Sequence, residues 1–474
     1  MKVSVSTVVH NLFGQIFGAS DQRISRSAIA EYQGPVPMGS PANTYGNEPV
    51  ASGERRWSNL TPDPQFWANV FGPRSLKSKG DAHQAKVCTT TSADNCPQPG
   101  VPPPPGYNTQ NTDYRPDGYL YTVRVLSRPA TPSRLAFEVF DPAFVNVGDL
   151  CTINLDGAES LNGESPNRYQ SGPKSIYCTG DQLFTASGED GRPPVTTYLI
   201  RAPDDTPWSN LDNPPITTPA CDSDHHQFQG YNAPIKTLVE TNPTEPYYRP
   251  TLGFRDHFRR WVRVCELDAN TPLGDYVIQV KTSAPPGRPD LTSWDQGGGA
   301  NRFSIRAAWI RPDGSPDATG VSVFASEAMG AYANATGADT QFHLARVFPG
   351  SDGRVLRLRF FDTGDAETPG DLTVLPPPDS NVGPGFSGCL VTRAAKGQTD
   401  APVKDCTVVG LHSSTDNGRW IEVKVPIPNG YTCDQSSATG CWVRVRFRYP
   451  PGTSVNDTTT WTAQIIGDPV RLVQ

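Results

Sequence analysis

One pattern occurs twice in this sequence, and it constrains the fold more than any other feature. The segments YLYTVRVLSRPATPSRLAFEVFD (residues 119–141) and TQFHLARVFPGSDGRVLRLRFFD (residues 340–362) align without a gap at an offset of 221 positions. In each copy, apolar and polar residues alternate on both sides of a central turn, which is typical of two half-buried β-strands. So long a period indicates tandem domains, because solenoid repeats recur every 20 to 50 residues. The repeat therefore predicts equivalent hairpins in two all-β units.

The predicted architecture has four parts. We expect two tandem β-sandwich domains of the jelly-roll or pre-peptidase-C-terminal-like type, over residues 107–310 and 320–474. Residues 35–106 are rich in Pro, Gly and Asn and predict a Pro-rich linker and irregular segment. In residues 1–34, apolar and polar residues alternate at both ends, and apolar residues recur at helical spacing from Val8 to Phe17. This pattern predicts a small β-α-β segment.

Composition excludes one class of partner. The chain has 474 residues with 48 prolines and 43 glycines, so its loops must be long and rich in turns, yet a hydrophobic content of 36% suffices to build cores. The formal net charge is −7. Nucleic acid requires a basic surface, so we expect no nucleic-acid partner.

Ten cysteines fall in local clusters that predict disulfides. Their number is even, no CxxC motif occurs, and each neighbouring pair brackets a polar segment, so disulfides are favoured over metal sites. This places the chain outside the cytoplasm, at the cell surface. Pairing in sequence order is the simplest of many connectivities and would join the following residues: Cys88 and Cys96, Cys151 and Cys178, Cys221 and Cys265, Cys389 and Cys406, Cys433 and Cys441.

The sequence carries neither a run of 18 apolar residues nor a basic segment followed by an apolar one at its N-terminus. Disulfides without an export signal are a contradiction. We therefore expect the chain to be the distal part of a longer protein, with a membrane segment upstream of Met1.

Calcium is the candidate metal. Asp362, Asp365 and Glu367 cluster in FDTGDAE, and Asp141 and Asp149 occupy the corresponding region of the first copy. Calcium prefers carboxylate oxygens, but this spacing is not that of an EF-hand and also suits ordinary turns. No other cofactor is expected.

Zinc and catalytic chemistry receive less support. Asp222, Asp224, His225 and His226 are dense enough to suggest zinc, but no third spaced ligand sets the geometry, and a surface loop is favoured. No GxSxG, HExxH or nucleotide-binding motif occurs. We therefore predict no enzyme and no catalytic residue.

A set of ordered motifs runs over nearly the whole chain: VSVSTVVHNLFGQIFGASDQRISRSAIAEY, PVPMGSPANTYG, FWANVFGP, GDA, GGGANRFSIRA, GAYANA, FFDTGDA and NDTTTWTAQIIGDPVRLVQ. Together these motifs resemble the extracytoplasmic part of bacterial TadG-like proteins, which are Flp-pilus (tight adherence) assembly proteins. Members begin with a transmembrane helix and a Tad domain, and this sequence has neither.

The resemblance implies a non-catalytic surface protein associated with pilus assembly or adhesion, with pilus or other cell-envelope proteins as partners. One alternative is a carbohydrate- or calcium-binding adhesin module, in which Tyr247, Tyr248 and Trp294 would contact a surface glycan. A secreted hydrolase is disfavoured. The N-terminal strands and residues 469–473 would either pair sheet edges or mediate self-association.

Overall fold

The computed structural model describes residues 2–9, 22–32, 35–50, 54–58, 66–88, 111–142, 181–184, 194–206, 209–218, 221, 227–229, 259–282, 297–336, 339–363, 368–393, 396–467 and 470–473. Every strand pair with a described register is antiparallel. The strands in chain order are β1 (Lys2–Val9), β2 (Gln22–Tyr32), β3 (Pro37–Met38), β4 (Thr44–Tyr45), β5 (Phe66–Phe71), β6 (Tyr119–Val125), β7 (Arg134–Phe140), β8 (Gln182–Leu183), β9 (Val195–Arg201), β10 (Gln227–Gln229), β11 (Trp261–Leu267), β12 (Gly274–Lys281), β13 (Gly299–Ile310), β14 (Pro316–Asp317), β15 (Val321–Ser326), β16 (Ala328–Thr336), β17 (Asp339–Arg346), β18 (Val355–Phe361), β19 (Gly370–Leu375), β20 (Leu390–Arg393), β21 (Gln398–Pro402), β22 (Thr407–Leu411), β23 (Trp420–Pro426), β24 (Trp442–Arg448), β25 (Ser454–Ile466) and β26 (Val470–Val473).

Helical structure in these residues is sparse. It consists of the short α-helix α1 (Ser413–Asp416) and three 3-10 turns at Lys77–Lys79, Pro349–Ser351 and Lys404–Cys406. No helix among the described ranges is long and apolar enough to cross a membrane.

A small unit comprises residues 1–35 and 466–474. Strand β2 lies between β1 and β26, so the two ends of the chain share one three-stranded sheet. The expected helix is wrong at its start, since Thr7, Val8 and Val9 continue β1 in register with β2. The rest of that helix, residues 10–21, lies outside the described residues.

Residues 36–465 form the large unit, which contains two large antiparallel sheets. One sheet runs β10-β9-β12-β6-β15-β3-β17-β24-β19-β22 and the other runs β11-β7-β13-β5-β16-β25-β18-β23-β20-β21. Their inner faces share one contiguous hydrophobic core to which both halves of the chain contribute. The predicted all-β sandwich class is confirmed.

The two copies of the repeat are not hairpins, and that expectation is corrected. Strand β6 lies in the first sheet and β7 in the second, and the equivalent β17 and β18 are divided in the same way. Tyr121 and Val123 of β6 and Phe137 and Val139 of β7 are all fully buried in the shared core. Since packed sheets lie about 10 Å apart, a connection between them must be longer than a tight turn. Residues 126–133 and 347–354 supply that length and turn both apolar faces inward.

The equivalence of the halves extends beyond the repeat. Strand β12 pairs with β6 and β9, as β24 pairs with β17 and β19. On the opposite sheet β11 pairs with β7, as β23 pairs with β18. Each repeated strand pair therefore recruits its partners in the same order.

Part of the predicted linker is structural, which corrects the expectation for residues 35–106. Met38 in β3 pairs with Ala325 of β15 on one side and Ala345 of β17 on the other. Ala68 in β5 likewise pairs with Phe303 of β13 and Ala331 of β16. We call β3, β4 and β5 the joint. Because the joint continues both sheets, the halves are not separated by a flexible spacer.

Several motifs behind the TadG-like resemblance meet at the joint. Asn43 donates through Nδ2 to the carbonyl of Ala307 at 2.8 Å, which links PVPMGSPANTYG to GGGANRFSIRA. In the GDA motif, Asp81 accepts the hydroxyl of Tyr119 at 2.8 Å, and the Ala82 N–H donates to Thr460 Oγ1 at 2.8 Å. Burial raises the pKa of Asp81 to about 6. These motifs therefore fix the interior where the two halves join.

Candidate functional site

A cavity lies where two sheet edges meet, at the open end of the second half. The chain leaves β21, the last strand of one sheet, and enters β22, the last strand of the other, through the 3-10 turn Lys404–Cys406. The cavity between them has a volume of about 460 Å³. This volume lies in the range of ligand-binding clefts. We call it the edge groove.

The wall of the edge groove is aliphatic. It is formed by Val391, Ala401, Val403, Val408 and Val409. Val391 and Val408 belong to the buried core, whereas the Val409 side chain is 61% exposed. The hydrophobic core therefore reaches the surface at this point, as it must where a sandwich is open.

The rim of the groove is basic. Lys396 and Lys404 are exposed, and Asp405 is the carboxylate beside them. Arg393 does not add a free charge, because its Nε donates to Asp416 at 2.7 Å and its other nitrogens donate to the carbonyls of Val409 and Gly410, both at 2.8 Å. The groove thus offers an apolar wall and two lysines to a ligand with an anionic group.

The edge strand β21 carries features that limit uncontrolled strand addition. The register shifts between Val391 and Arg393 where β20 pairs with β21, and Asp400 in β21 has a φ of 49°. Asp400 also binds Lys424 Nζ at 2.7 Å. Bulges and charges of this kind discourage sheet-to-sheet aggregation. Recognition in the groove would therefore depend on side chains more than on a continuous backbone ladder.

A disulfide fixes the groove. Cys389, before β20, is bonded to Cys406, before β22, as pairing in sequence order predicts. Cys221 with Cys265 and Cys433 with Cys441 are joined as well. Cys88 is disulfide-bonded. Its expected partner Cys96, like Cys151 and Cys178, lies outside the described residues.

Of the three predicted calcium residues, Asp362 lies in the described ranges. Asp362 is fully buried with a φ of 63°, and its Oδ1 accepts the N–H of Gly418. Its own N–H donates to the Arg419 carbonyl at 3.0 Å. Asp362 therefore holds the turn before β23, while Asp365 and Glu367 lie outside the described residues.

A second acidic grouping is also structural. Asp379, Cys433 and Cys441 lie close together, but both sulfurs belong to one disulfide and cannot ligate a metal as thiolates. The Asp379 carboxylate instead accepts the N–H groups of Asp434 at 2.8 Å and of Cys441 at 3.1 Å. It ties the loop before β24 to the preceding segment.

Several predicted candidates cannot be placed. The acidic and histidine cluster after Cys221 and the surface aromatics lie outside the described residues: Asp149, Asp222, Asp224, His225, His226, Tyr247, Tyr248 and Trp294. Trp420, by contrast, is 6% exposed and packs as a core anchor.

An aromatic cavity in the second half is too small for a ligand of appreciable size. Its volume is about 40 Å³, and Phe66, Phe342, Phe447, Tyr449 and Trp461 line it. Such a space holds about one water molecule. It is a gap in the core packing of the second half.

Sequence reasoning missed an ionic cluster on the outer side of the second sheet. The Arg306 guanidinium lies 4.1 Å from the ring centres of both Trp57 and Trp261, and it binds Glu138 Oε2 at 2.6 Å and Glu48 Oε1 at 3.2 Å. These residues are far apart in sequence, so no spacing signals the cluster. It is nearly fully buried and stabilises the fold.

Comparisons with known proteins add little. No known family profile matches the chain, and no curated relative matches it. A solved structure of the N-terminal CBM22-1–CBM22-2 tandem domain of Xyn10C from Paenibacillus barcinonensis is similar at 10% identity, covering 73% of this chain and 79% of that chain, with a TM-score of 0.12. A likeness at this TM-score carries no argument about either fold or function.

Proposed function

We propose that this chain is a non-catalytic cell-envelope protein that takes part in Flp-type pilus assembly or adhesion by binding a partner protein in the edge groove. The observation that carries the proposal is the groove itself, a cavity of about 460 Å³ with an aliphatic wall and two exposed lysines on its rim. Disulfides that close local loops support a location outside the cytoplasm. The TadG-like resemblance supports the pilus context.

The chemistry of the groove favours a partner segment that carries acidic and aliphatic side chains. Aliphatic residues would cover Ala401, Val403 and Val409, while carboxylates would pair with Lys396 and Lys404. Charged rims act mainly on the association rate and on specificity. Binding should therefore weaken as ionic strength rises.

The proposal is tested by affinity capture from envelope extracts of the producing cell, with the bound proteins identified by mass spectrometry. We expect the native chain to retain pilus-assembly or surface proteins and Lys396→Glu/Lys404→Glu to lose them. Arg134→Gln/Arg311→Gln removes two exposed charges in the first half and serves as the control. Equal recovery by both variants would exclude the groove, and recovery of no envelope protein would contradict the proposal. Binding to a glycan array without a protein partner would instead support the adhesin alternative.

A further inference from the structure

A carboxylate in the first half lacks the partners that burial requires. Asp181 is 3% exposed, and neither of its carboxylate oxygens has a hydrogen-bond partner among the described residues. Burying an ionised carboxylate without hydrogen bonds or a counter-charge is strongly unfavourable. Asp181 therefore needs either a bound proton or a cation.

Strand register brings a second carboxylate beside Asp181. Strands β7 and β8 both pair with β13 on the side opposite β5, since Ala300 pairs with Gln182 on one side and Phe71 on the other. Phe140 pairs with Ser304, so the next residue, Asp141, lies opposite Phe303. Asp181, which precedes Gln182, lies opposite Asn301. The two aspartates are thus about two strand residues apart, which is roughly 7 Å between their Cα atoms.

Both side chains face the interior between the sheets. Cross-strand neighbours share a face, and the faces of Phe303 and Asn301 are known. Phe303 packs edge-on against Tyr198 of the opposite sheet, with ring centres 5.4 Å apart. Asn301 Nδ2 donates to Thr196 Oγ1, also on β9, at 2.7 Å.

Further oxygens without partners lie in the same place. Among the described residues, Asn301 Oδ1 and the Tyr198 hydroxyl are buried without a hydrogen bond of ordinary geometry, although Asn301 lies close enough to lower the pKa of Tyr198. After burial itself, Asp141 and Asp181 are the largest causes that raise the pKa of Tyr198, and Asp141 likewise adds to burial in raising that of Asp181. These couplings require that the groups lie near one another.

Arg302, which lowers the pKa of Asp181, does not point into this cluster. Arg302 lies between Asn301 and Phe303 in β13 and therefore points to the other face. Its guanidinium sits 4.2 Å from the ring centre of Tyr332, and Nη2 donates to Gln182 Oε1 at 3.0 Å. Arg302 lowers the pKa of Asp181 by less than burial and Asp141 raise it.

We propose that Asp141, Asp181 and Asn301 bind a calcium ion inside the first half, with the Tyr198 hydroxyl at its edge. The donors are all oxygens, and two are carboxylates, which suits a hard divalent cation. The ion would join the end of β7 to the start of β8. It would thus serve as a structural clamp. This site is distinct from the loop that carries Asp362.

Isothermal titration of metal-stripped full-length protein with calcium chloride, paired with thermal melting, tests the inference. We expect one calcium ion per chain and a rise in Tm on saturation. Asp181→Asn, which keeps the side-chain shape and removes the charge, should abolish the binding heat. Asp313→Asn changes an exposed carboxylate in a turn and should leave the binding unchanged.

A second variant separates this site from the loop candidates. Asp365→Asn/Glu367→Gln should still bind calcium. Loss of binding in that variant, together with normal binding by Asp181→Asn, would overturn the inference. A native protein that shows neither binding heat nor a Tm shift would overturn it as well, whether or not the variants fold. Terbium luminescence sensitised by Tyr198 provides an independent readout and should vanish in Asp181→Asn.

Discussion

The ring of Trp420 packs against the ring of Phe361 with centroids 5.2 Å apart and an interplanar angle of 58°. Trp261 takes the same position against Phe140, at 5.4 Å and 57°. Phe140 and Phe361 are equivalent in the repeat, and each is the register partner of its tryptophan. The same phenylalanine–tryptophan contact therefore occurs in both halves, although the two tryptophans lie outside the repeated sequence.

We expect Trp420→Ala to destabilise the protein by about 3–5 kcal/mol, as large-to-small core substitutions do. The side chain is buried against Phe361, and its Nε1 donates to Asp113 at 2.9 Å. Urea unfolding would measure the change. Leu126→Ala is the control, since that side chain is 70% exposed and should cost less than about 0.5 kcal/mol. Equal costs would show that Trp420 is not a core anchor.

Replacement of Arg306 by Ala should cost about 3–5 kcal/mol, because removing one partner leaves buried charges uncompensated. Glu48 and Glu138 would both lose the Arg306 guanidinium, while Glu138 would keep its ion pair with Arg263 at 3.0 Å. The triple change Arg306→Met/Glu48→Gln/Glu138→Gln removes these three charges together and should recover much of the loss. If the single and triple variants were equally unstable, packing between the tryptophans would explain the effect.

Removing the Cys389–Cys406 disulfide with a double serine substitution should lower stability by about 2–4 kcal/mol. The bond spans a separation of 17 residues and ties the two edges of the groove. We also expect partner binding to weaken, because the rim would lose its constraint. Titration of the unsubstituted protein, unfolded without reductant, should detect no free thiols. A majority of free thiols would contradict the extracytoplasmic proposal.

Acidification should destabilise the protein through His343. Burial, with a smaller contribution from Arg444, lowers the pKa of His343 to about 4 from its usual 6.5. Between these values the unfolded chain binds a proton that the folded chain does not. The stability from this group is therefore complete above pH 6.5 and is lost as the pH falls through 4. We expect the free energy of unfolding to fall by about 2 kcal/mol over this range, allowing for the partial exposure of His343.

The control for this prediction comes from the repeat, because Thr122 occupies the equivalent position. His343→Thr should flatten the stability profile between pH 6.5 and 4, measured by urea unfolding at each pH. An unchanged slope would assign the acid sensitivity to other groups.

Local sequence patterns predicted where the strands lie better than they predicted what each strand or side chain contacts. Alternation located β7 and β18, and cysteine spacing predicted the bond that closes the edge groove. The groove lysines, Lys396 and Lys404, carry no sequence signal, because an exposed lysine in a loop is common. Asp181 was missed for a different reason: its importance comes from burial without a partner, which depends on the strands around it.

By itself the sequence determined that the chain is all-β, that it contains a repeated strand pair and that neighbouring cysteines pair, as they do in the three disulfides whose residues are described. These properties depend on side-chain period and short spacing along the chain. Only the tertiary structure decided that each repeat spans two sheets, that β3 and β5 continue those sheets across both halves, and that Asp141 lies beside Asp181. A strand has two edges and either can pair with any compatible segment, so the choice is made by burial of the whole core and not by local pattern.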